Sequence, residues 1–322
     1  MRALRFNRTG SLDELVVMDV PMPKPGEGEV LIKIEAAAVN SSDIKNVLGR
    51  MHENTTPRTP GRDFAGVVAE GPAELVDRSV FGTGGNLGFG RDGSHAEFVV
   101  VPREAALPMP KGLSFEQAAA ISLAYMTAWA ALAKGARLEA GETALILGAS
   151  GAVGGAAAHL AHKLGARVLG TVRNKRDIPK PGTVPVDVWI DLETTDLALG
   201  ARNATSGAGA NVVLDVVGGP MFEKCLGALA HHGRQVAISS SSTPRVSFNL
   251  VDFYHNEARL IGVDTLKLGF SEAADILRGL TPGFEQGDFP PPEVRAWPLE
   301  CGPDAYREIE AGKIKSKVAL TP

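Results

Sequence analysis

The sequence is poor in the features that mark several protein classes, and each shortage excludes something. Among 322 residues only Cys225 and Cys301 are cysteines, too few and too far apart for a disulfide framework or a structural zinc site. The longest apolar stretch, Ala118 to Ala133, is interrupted by Ser122, Tyr125 and Thr127. It is short for a bilayer span and reads as a buried helix. Met1-Arg-Ala-Leu-Arg-Phe-Asn-Arg8 has no continuous apolar core of the kind a secretory leader carries. The net charge of −4 gives no reason to expect nucleic acid or an anionic membrane as a partner. No internal repeat or low-complexity segment is present. What remains, 44% hydrophobic and 22% charged residues in a chain long enough for two domains, is the composition of a cytoplasmic, two-domain α/β protein.

The stretch around which the rest is arranged is Leu145-Ile-Leu-Gly-Ala-Ser-Gly-Ala-Val-Gly-Gly155. Thr143 to Leu147 reads as a buried parallel strand, Gly148 to Gly154 as a tight turn, Ala156 to Leu164 as a helix and Arg167 to Val172 as a second buried strand. In such a βαβ unit Gly151 and Gly154 let the backbone approach a pyrophosphate, and the free N–H groups at the helix start hold its charge. The strand before and the helix after supply the context this glycine pattern needs. Ser150, Gly151, Ala152, Val153 and Gly154 are therefore expected to face the pyrophosphate.

The end of the second strand chooses between dinucleotides. An NAD site places Asp or Glu about 20 residues after the glycines. Here Gly170-Thr-Val-Arg-Asn-Lys-Arg176 has no acid before Asp177. Arg173, Lys175 and Arg176 could pair with a 2′-phosphate, which a carboxylate would repel. The expected cofactor is NADPH (NADP).

Along the chain, short alternating runs at Leu15–Val20, Val30–Ala38, Ala65–Glu70 and Ala96–Val101 are separated by Pro- and Gly-rich breaks, which predicts a small β barrel or sandwich up to about Arg103. Asn40 to Leu48 could form one helical turn. Ser114, with Gln117 three residues on, has the form of a capping box opening the apolar helix. After Arg173, strands at Val186–Ile190, Val212–Val217, Arg234–Ile238 and Arg259–Val263 alternate with helices at Thr195–Thr205 and Pro220–Ala230, the pattern of a doubly wound parallel sheet. A helix from Ser271 to Leu280 precedes the break Phe289-Pro-Pro-Pro292. The tail then reads strand (Val294–Pro298), helix (Pro303–Ala311), strand (Lys317–Leu320), an extension of the first domain. The Rossmann unit is thus expected as an insertion, residues 118–267 within 1–117 and 268–322.

These pieces resemble the medium-chain dehydrogenase/reductase superfamily, specifically its zinc-free quinone oxidoreductase branch, over essentially the whole chain. The resemblance rests on Val39-Asn-Ser-Ser-Asp43, Thr59-Pro-Gly-Arg-Asp-Phe-Ala-Gly-Val67, Asp92-Gly-Ser-His-Ala-Glu97, Leu123-Ala-Tyr-Met-Thr-Ala-Trp129, the glycine turn, Asp215-Val-Val-Gly-Gly219 and Lys317-Val-Ala-Leu320. It implies a GroES-like β-rich domain joined to a Rossmann domain, with cofactor and substrate in the cleft between them. Zinc-dependent relatives carry a Cys-His pair and a Gly-His-Glu where this chain has Asn40-Ser-Ser-Asp43 and Gly61-Arg-Asp63, so no catalytic zinc is expected.

The resemblance also implies roles. Asn40 and Thr127 would lie near the nicotinamide end, although an Asn at a strand end can equally cap the next turn. Asp43 and Lys45 follow; Lys45, where relatives often have Tyr, reads either as a donor to a developing enolate oxygen or as a solvated lysine. Ser239 and Ser240 would line the ribose or nicotinamide side, and Lys317 would be a cofactor or cleft residue, though Ser316 replaces the usual preceding Gly. Leu192 stands where relatives stack a Tyr on adenosine. Arg62 and Asp63 read as structural charges, and His52 and His95 as packed or exposed histidines. Cleft shape would depend on Gly84–Arg91 and His52–Pro57. The implied activity is hydride transfer from NADPH to a small electrophilic quinone or α,β-unsaturated carbonyl. Enoyl-thioester reduction and a non-enzymatic NADPH-binding role are the alternatives. A homodimer is expected through pairing of the edge strand Arg259–Val263.

Overall fold

The computed structural model describes residues 1–51, 55–240 and 243–322; His52 lies outside them. The chain divides into two compact units, Met1–Leu123 with Leu266–Pro322, and Ala124–Thr265.

The first unit begins with the strands β1 (Arg2–Arg5) and β2 (Val16–Asp19), paired antiparallel. The ten-residue β3 (Glu29–Ala38) runs into the helix α1 (Ser41–Val47), and β4 (Phe64–Glu70), β5 (Ser79–Gly82), β6 (Phe98–Pro102) and β7 (Leu107–Pro108) follow. Val30, Ile32 and Ile34 alternate along β3 onto one face, where they pack with Phe64, Val68, Val80 and Val101. The helix α2 (Phe115–Trp129) opens with the expected capping box. The Gln117 N–H donates to Ser114 Oγ (3.3 Å), and the Ser114 N–H donates to Gln117 Oε1 (3.0 Å).

The second unit carries β8 (Thr143–Ile146), α3 (Ala152–Lys163), β9 (Arg167–Val172), β10 (Val188–Asp191), α4 (Leu197–Ala204), β11 (Ala210–Asp215), α5 (Phe222–Gly227), β12 (Leu229–Ala237), α6 (Leu250–His255) and β13 (Arg259–Gly262). All six strands are parallel, in the order β10-β9-β8-β11-β12-β13. The order reverses between β8 and β11, which places a crevice at the carboxyl ends of these two strands. Leu145, Leu147, Leu169, Ile190 and Val213 form its core with Leu197 of α4 and Leu226 of α5.

The sequence pattern starts β12 at Arg234, but the strand begins at Leu229. Between Ala210↔Leu229 and Val212↔Arg234 its register against β11 breaks. His232 there adopts φ +60°, and this bulge hides the strand's period. The chain then returns to the first unit through α7 (Phe270–Glu285), β14 (Val294–Pro298), α8 (Gly302–Glu310) and β15 (Lys317–Thr321). Helix α7 runs five residues past the expected Leu280 and carries Pro282 inside it; Gly283 and Phe284 are buried beyond the predicted end. β15 pairs antiparallel with β3 and parallel with β14, completing a sheet ordered β14-β15-β3-β4-β5-β7, with β6 on β3. Leu4, Phe6, Ile44, Val47, Tyr306 and Leu320 form a second core in this unit.

Candidate active site

In the parallel-sheet unit, the turn after β8 is shaped by its glycines. Gly148 has φ +62° and donates its N–H to Thr171 Oγ1 on β9 at 3.0 Å. The Gly151 N–H donates to Gly148 O at 2.9 Å. A Cβ on Gly154 would sit 2.2 Å from Gly148 O, so no side chain fits at that close approach. Helix α3 starts at Ala152 with no side-chain cap, which leaves its first N–H groups aimed outward beside exposed Ser150, Gly151 and Ala152 and half-buried Val153. Such a helix start suits an anionic group.

Neighbouring loops end on the same edge of the sheet. After β11 the Asp215 carboxylate accepts from the N–H groups of Val217 (2.9 Å) and Gly218 (2.7 Å). Gly218, at φ +67°, has no room for a Cβ, which would meet Ser239 O at 2.7 Å. That packing sets Ser239 and Ser240, after β12, against the Gly218 turn. Thr127 is buried on α2.

At the end of β9, Arg173 and Lys175 are exposed and make no ion pair among the described residues, as is true of Arg176. One carboxylate that sequence reading missed comes close. Glu193, after β10, accepts a hydrogen bond from Asn174 Nδ2, between the two basic residues. It follows β10 rather than β9, so spacing from the glycines gave no signal for it.

In the first unit, three strand ends meet. β3 runs antiparallel to both β4 and β15, so the residue after β3 lies beside the residue before β4 and the first residue of β15. Asn40, one residue further on than Val39, thus comes together with Asp63 and Lys317. Lys317 Nζ donates to Val39 O (3.1 Å) and to Asn40 Oδ1. Asn40 Nδ2 donates to Asp63 Oδ2 at 2.8 Å and reaches Ala38 O at 3.4 Å. The second Asp63 oxygen accepts from the Leu123 N–H at 3.1 Å. Asn40 also caps α1, with the Asp43 carboxylate accepting from its N–H at 2.8 Å. Thus the Asn40 side chain is engaged by Lys317 and Asp63, while its backbone N–H makes the bond to Asp43 at the start of α1.

Burial governs the protonation of this cluster. Asp43 and Asp63 are wholly buried and desolvation pushes each up to about 6, against the opposing pull of Lys317 on both. Burial also lowers Lys317, while Asp63 and Asp43 raise it. His95 is buried and pushed down to about 4 by desolvation. Its Nε2 lies 3.3 Å from Ala38 O and must donate there, so Nδ1 accepts from the Tyr306 hydroxyl at 2.8 Å. Tyr306 lies 211 positions from His95 in sequence, and no local pattern pointed to it. Arg62 is buried with its guanidinium over the Phe89 ring, 5.7 Å from the centroid, and its charge acts on Asp43. Lys45, on α1, stands apart from this cluster: burial lowers its pKa and the charges acting on it are Arg50 and Glu310.

The cluster's donor set does not suit zinc. Both Asp63 oxygens, one Asp43 oxygen and both His95 nitrogens already have hydrogen-bond partners, and a lysine ammonium stands among the carboxyls. A divalent cation would have to displace that ammonium. Cys225 is buried in the other unit, and neither cysteine belongs to a group of metal-ligating side chains among the described residues.

Comparison with known proteins matches two domain families: "Alcohol dehydrogenase GroES-like domain" over residues 26–111 and "Zinc-binding dehydrogenase" over residues 152–278. The chain is 34% identical to a zinc-type alcohol dehydrogenase-like protein of Schizosaccharomyces pombe, covering 90% of this chain and 86% of that one. It is 29% identical to the quinone oxidoreductase of Homo sapiens, covering 97% and 94%. Among solved structures, an NAD-dependent alcohol dehydrogenase aligns over both whole chains with a TM-score of 0.89 at 28% identity. A mycobacterial protein solved in complex with NADPH aligns over both whole chains with a TM-score of 0.87 at 26% identity.

Proposed function

Because this chain belongs to the medium-chain dehydrogenase/reductase superfamily of oxidoreductases, we propose that it is a zinc-independent, NADPH-dependent reductase of quinones or α,β-unsaturated carbonyls. The observation that carries this reading is the Lys317 ammonium, held by Val39 O and Asn40 Oδ1 beside two buried carboxyls. A protein cation fills the polar cluster of the GroES-like unit. Without a Lewis acid to polarise an isolated carbonyl, the acceptors that remain are those whose added electron density spreads onto an oxygen by conjugation.

The residues of the parallel-sheet unit fit the cofactor. Ala152 and Val153 offer N–H groups at the start of α3 to a pyrophosphate, beside exposed Ser150 and Gly151, and Gly154 keeps the approach open. Arg173 and Lys175 pair with the 2′-phosphate, with the Glu193 carboxylate occupied by its hydrogen bond from Asn174 between them. Ser239 and Ser240 serve the ribose side. Bound there, NADPH would supply the hydride. The similarity to the human quinone oxidoreductase and to the NADPH-bound mycobacterial structure supports this reading. The NAD-dependent neighbour makes the 2′-phosphate contacts the point to test.

In the polar cluster of the GroES-like unit, Lys317 retains a donor. Two of its three N–H bonds are committed to Val39 and Asn40, and it is only partly buried. The third is available to an oxygen that gains charge as hydride arrives. Asn40 and Asp63 act as positioning residues that hold this ammonium. In an assay that follows NADPH consumption on adding a small p-quinone and then a small enone, we expect oxidation with at least one of them. Lys317→Met is expected to lower kcat by about 10²-fold with NADPH affinity unchanged, and Lys317→Arg to restore part of it. Failure of every quinone and enone to oxidise NADPH, with tight NADPH binding, would replace this reading with enoyl-thioester reduction or a binding role.

A further inference from the structure

A second site lies in the parallel-sheet unit at the amino-terminal ends of β12 and β13, the end of the sheet opposite the glycine turn. Consecutive residues of a strand normally point to opposite faces. His231 and His232 break that rule. The register of β12 against β11 is interrupted between Leu229 and Arg234, and His232 adopts the left-handed φ of +60°. Both imidazoles therefore emerge on one side, their ring centroids 3.8 Å apart. Facing them is Glu257, just before the edge strand β13 and itself left-handed at φ +46°. A backbone hydrogen bond from the His232 N–H to Asn256 O, 2.7 Å, ties the two segments together. Five non-glycine residues adopt positive φ among the described residues, and two of them belong to this cluster. Such conformations are costly for residues with a Cβ.

The spacing of the three groups suits a shared cation better than direct pairing. His231 Nε2 lies 3.7 Å and His232 Nδ1 3.4 Å from the Glu257 carboxylate oxygens, and neither pair forms a hydrogen bond. One ligand atom from each residue falls within 4.8 Å of the others. Around a tetrahedral zinc with bonds of about 2.0–2.2 Å, ligand atoms stand roughly 3.3–3.6 Å apart. All three side chains are exposed, so a cation could enter and water could complete its sphere.

We propose that His231, His232 and Glu257 form a surface site for a divalent transition metal of the zinc type, with two imidazoles and one carboxylate as ligands. The ion would clip the β12 bulge to the segment that leads into the edge strand. This site is independent of the reductase reading, since it lies away from the crevice and needs no cofactor.

Isothermal titration of the full-length protein with zinc chloride alone tests it, in a buffer without competing ligands and beside circular dichroism as a fold check. One zinc per chain is expected, with affinity reduced at least about tenfold by His231→Ala and separately by Glu257→Gln. Both changes are on exposed side chains, and neither is placed in the catalytic or cofactor machinery. A rise in thermal midpoint on adding zinc should appear in the natural chain and vanish in both variants. Absence of zinc binding, or binding unchanged by both substitutions, overturns the proposal.

Discussion

At the scale of single residues, the chemistry is decided by groups whose charge has been displaced by burial. His95 shows the sign most simply. Its folded pKa, about 4, lies below the ordinary value of 6.5 because the ring is buried and neutral. The stability it contributes is complete above about pH 6.5 and is lost as pH falls through about 4. Asp43 and Asp63, raised to about 6 by burial, run the other way: their contribution is present below the ordinary carboxylate range and is lost as pH rises through about 6. A variant separates the two. His95→Gln should be less stable overall, and the loss of unfolding free energy that the imidazole causes between pH 6.5 and 4, up to about 1.4 kcal/mol per pH unit, should be absent from its pH slope. Urea unfolding at several pH values reads this directly, and identical slopes would contradict the buried, neutral imidazole. On the cofactor side, Arg173→Ala should weaken NADPH binding about tenfold or more and leave NADH binding little changed, as measured by fluorescence titration.

Residue types announced part of this and concealed the rest. The basic triplet after β9 was readable because the second strand of a βαβ unit has a known position relative to the glycines. Asn40 and Asp43 were readable as a strand end entering a helix, and the structure shows them to be one capping box. The pairing of Lys317 with Asn40, and of Tyr306 with His95, depends on β15 and α8 returning to the first unit. Such contacts span more than two hundred residues, and no spacing rule reports them. Asp63 reads from the sequence as a structural charge, and in the structure it is the acceptor that orients Asn40.

At the scale of elements, the legible pieces were those with a strong local period or an obligatory residue. The glycine turn, the capping box of α2 and most strands of the parallel sheet were readable for that reason. Gly154 is the sharpest case. Gly154→Ala puts a methyl group 2.2 Å from Gly148 O, a distance only a shift of the backbone can relieve. Such a shift would reshape the turn, and NADPH affinity should fall more than about tenfold. Unchanged affinity in the same titration would show that the turn does not carry the pyrophosphate. The elements that escaped reading had a broken period. β12 begins five residues before its apparent start because the bulge at His232 interrupts the alternation. α7 continues past Leu280 through Pro282, since Phe284 is packed against Phe289. Buried contacts outweighed the helix-breaking residue there.

At the scale of the whole molecule, an interrupted GroES-like unit carries a lysine-filled polar cluster and an inserted parallel-sheet unit carries a crevice at the carboxyl ends of β8 and β11. The chain's relatives include proteins described as zinc-type and others described as quinone oxidoreductases. The proposed reduction needs no zinc. The most direct measurement is the rate of NADPH oxidation by a small quinone before and after exhaustive removal of metals, with residual zinc assayed in the same sample. An unchanged rate at negligible zinc is the expected result, even if the surface site at His231, His232 and Glu257 is emptied by the treatment. A rate that disappears with the metal and returns on adding zinc would show that reduction depends on zinc.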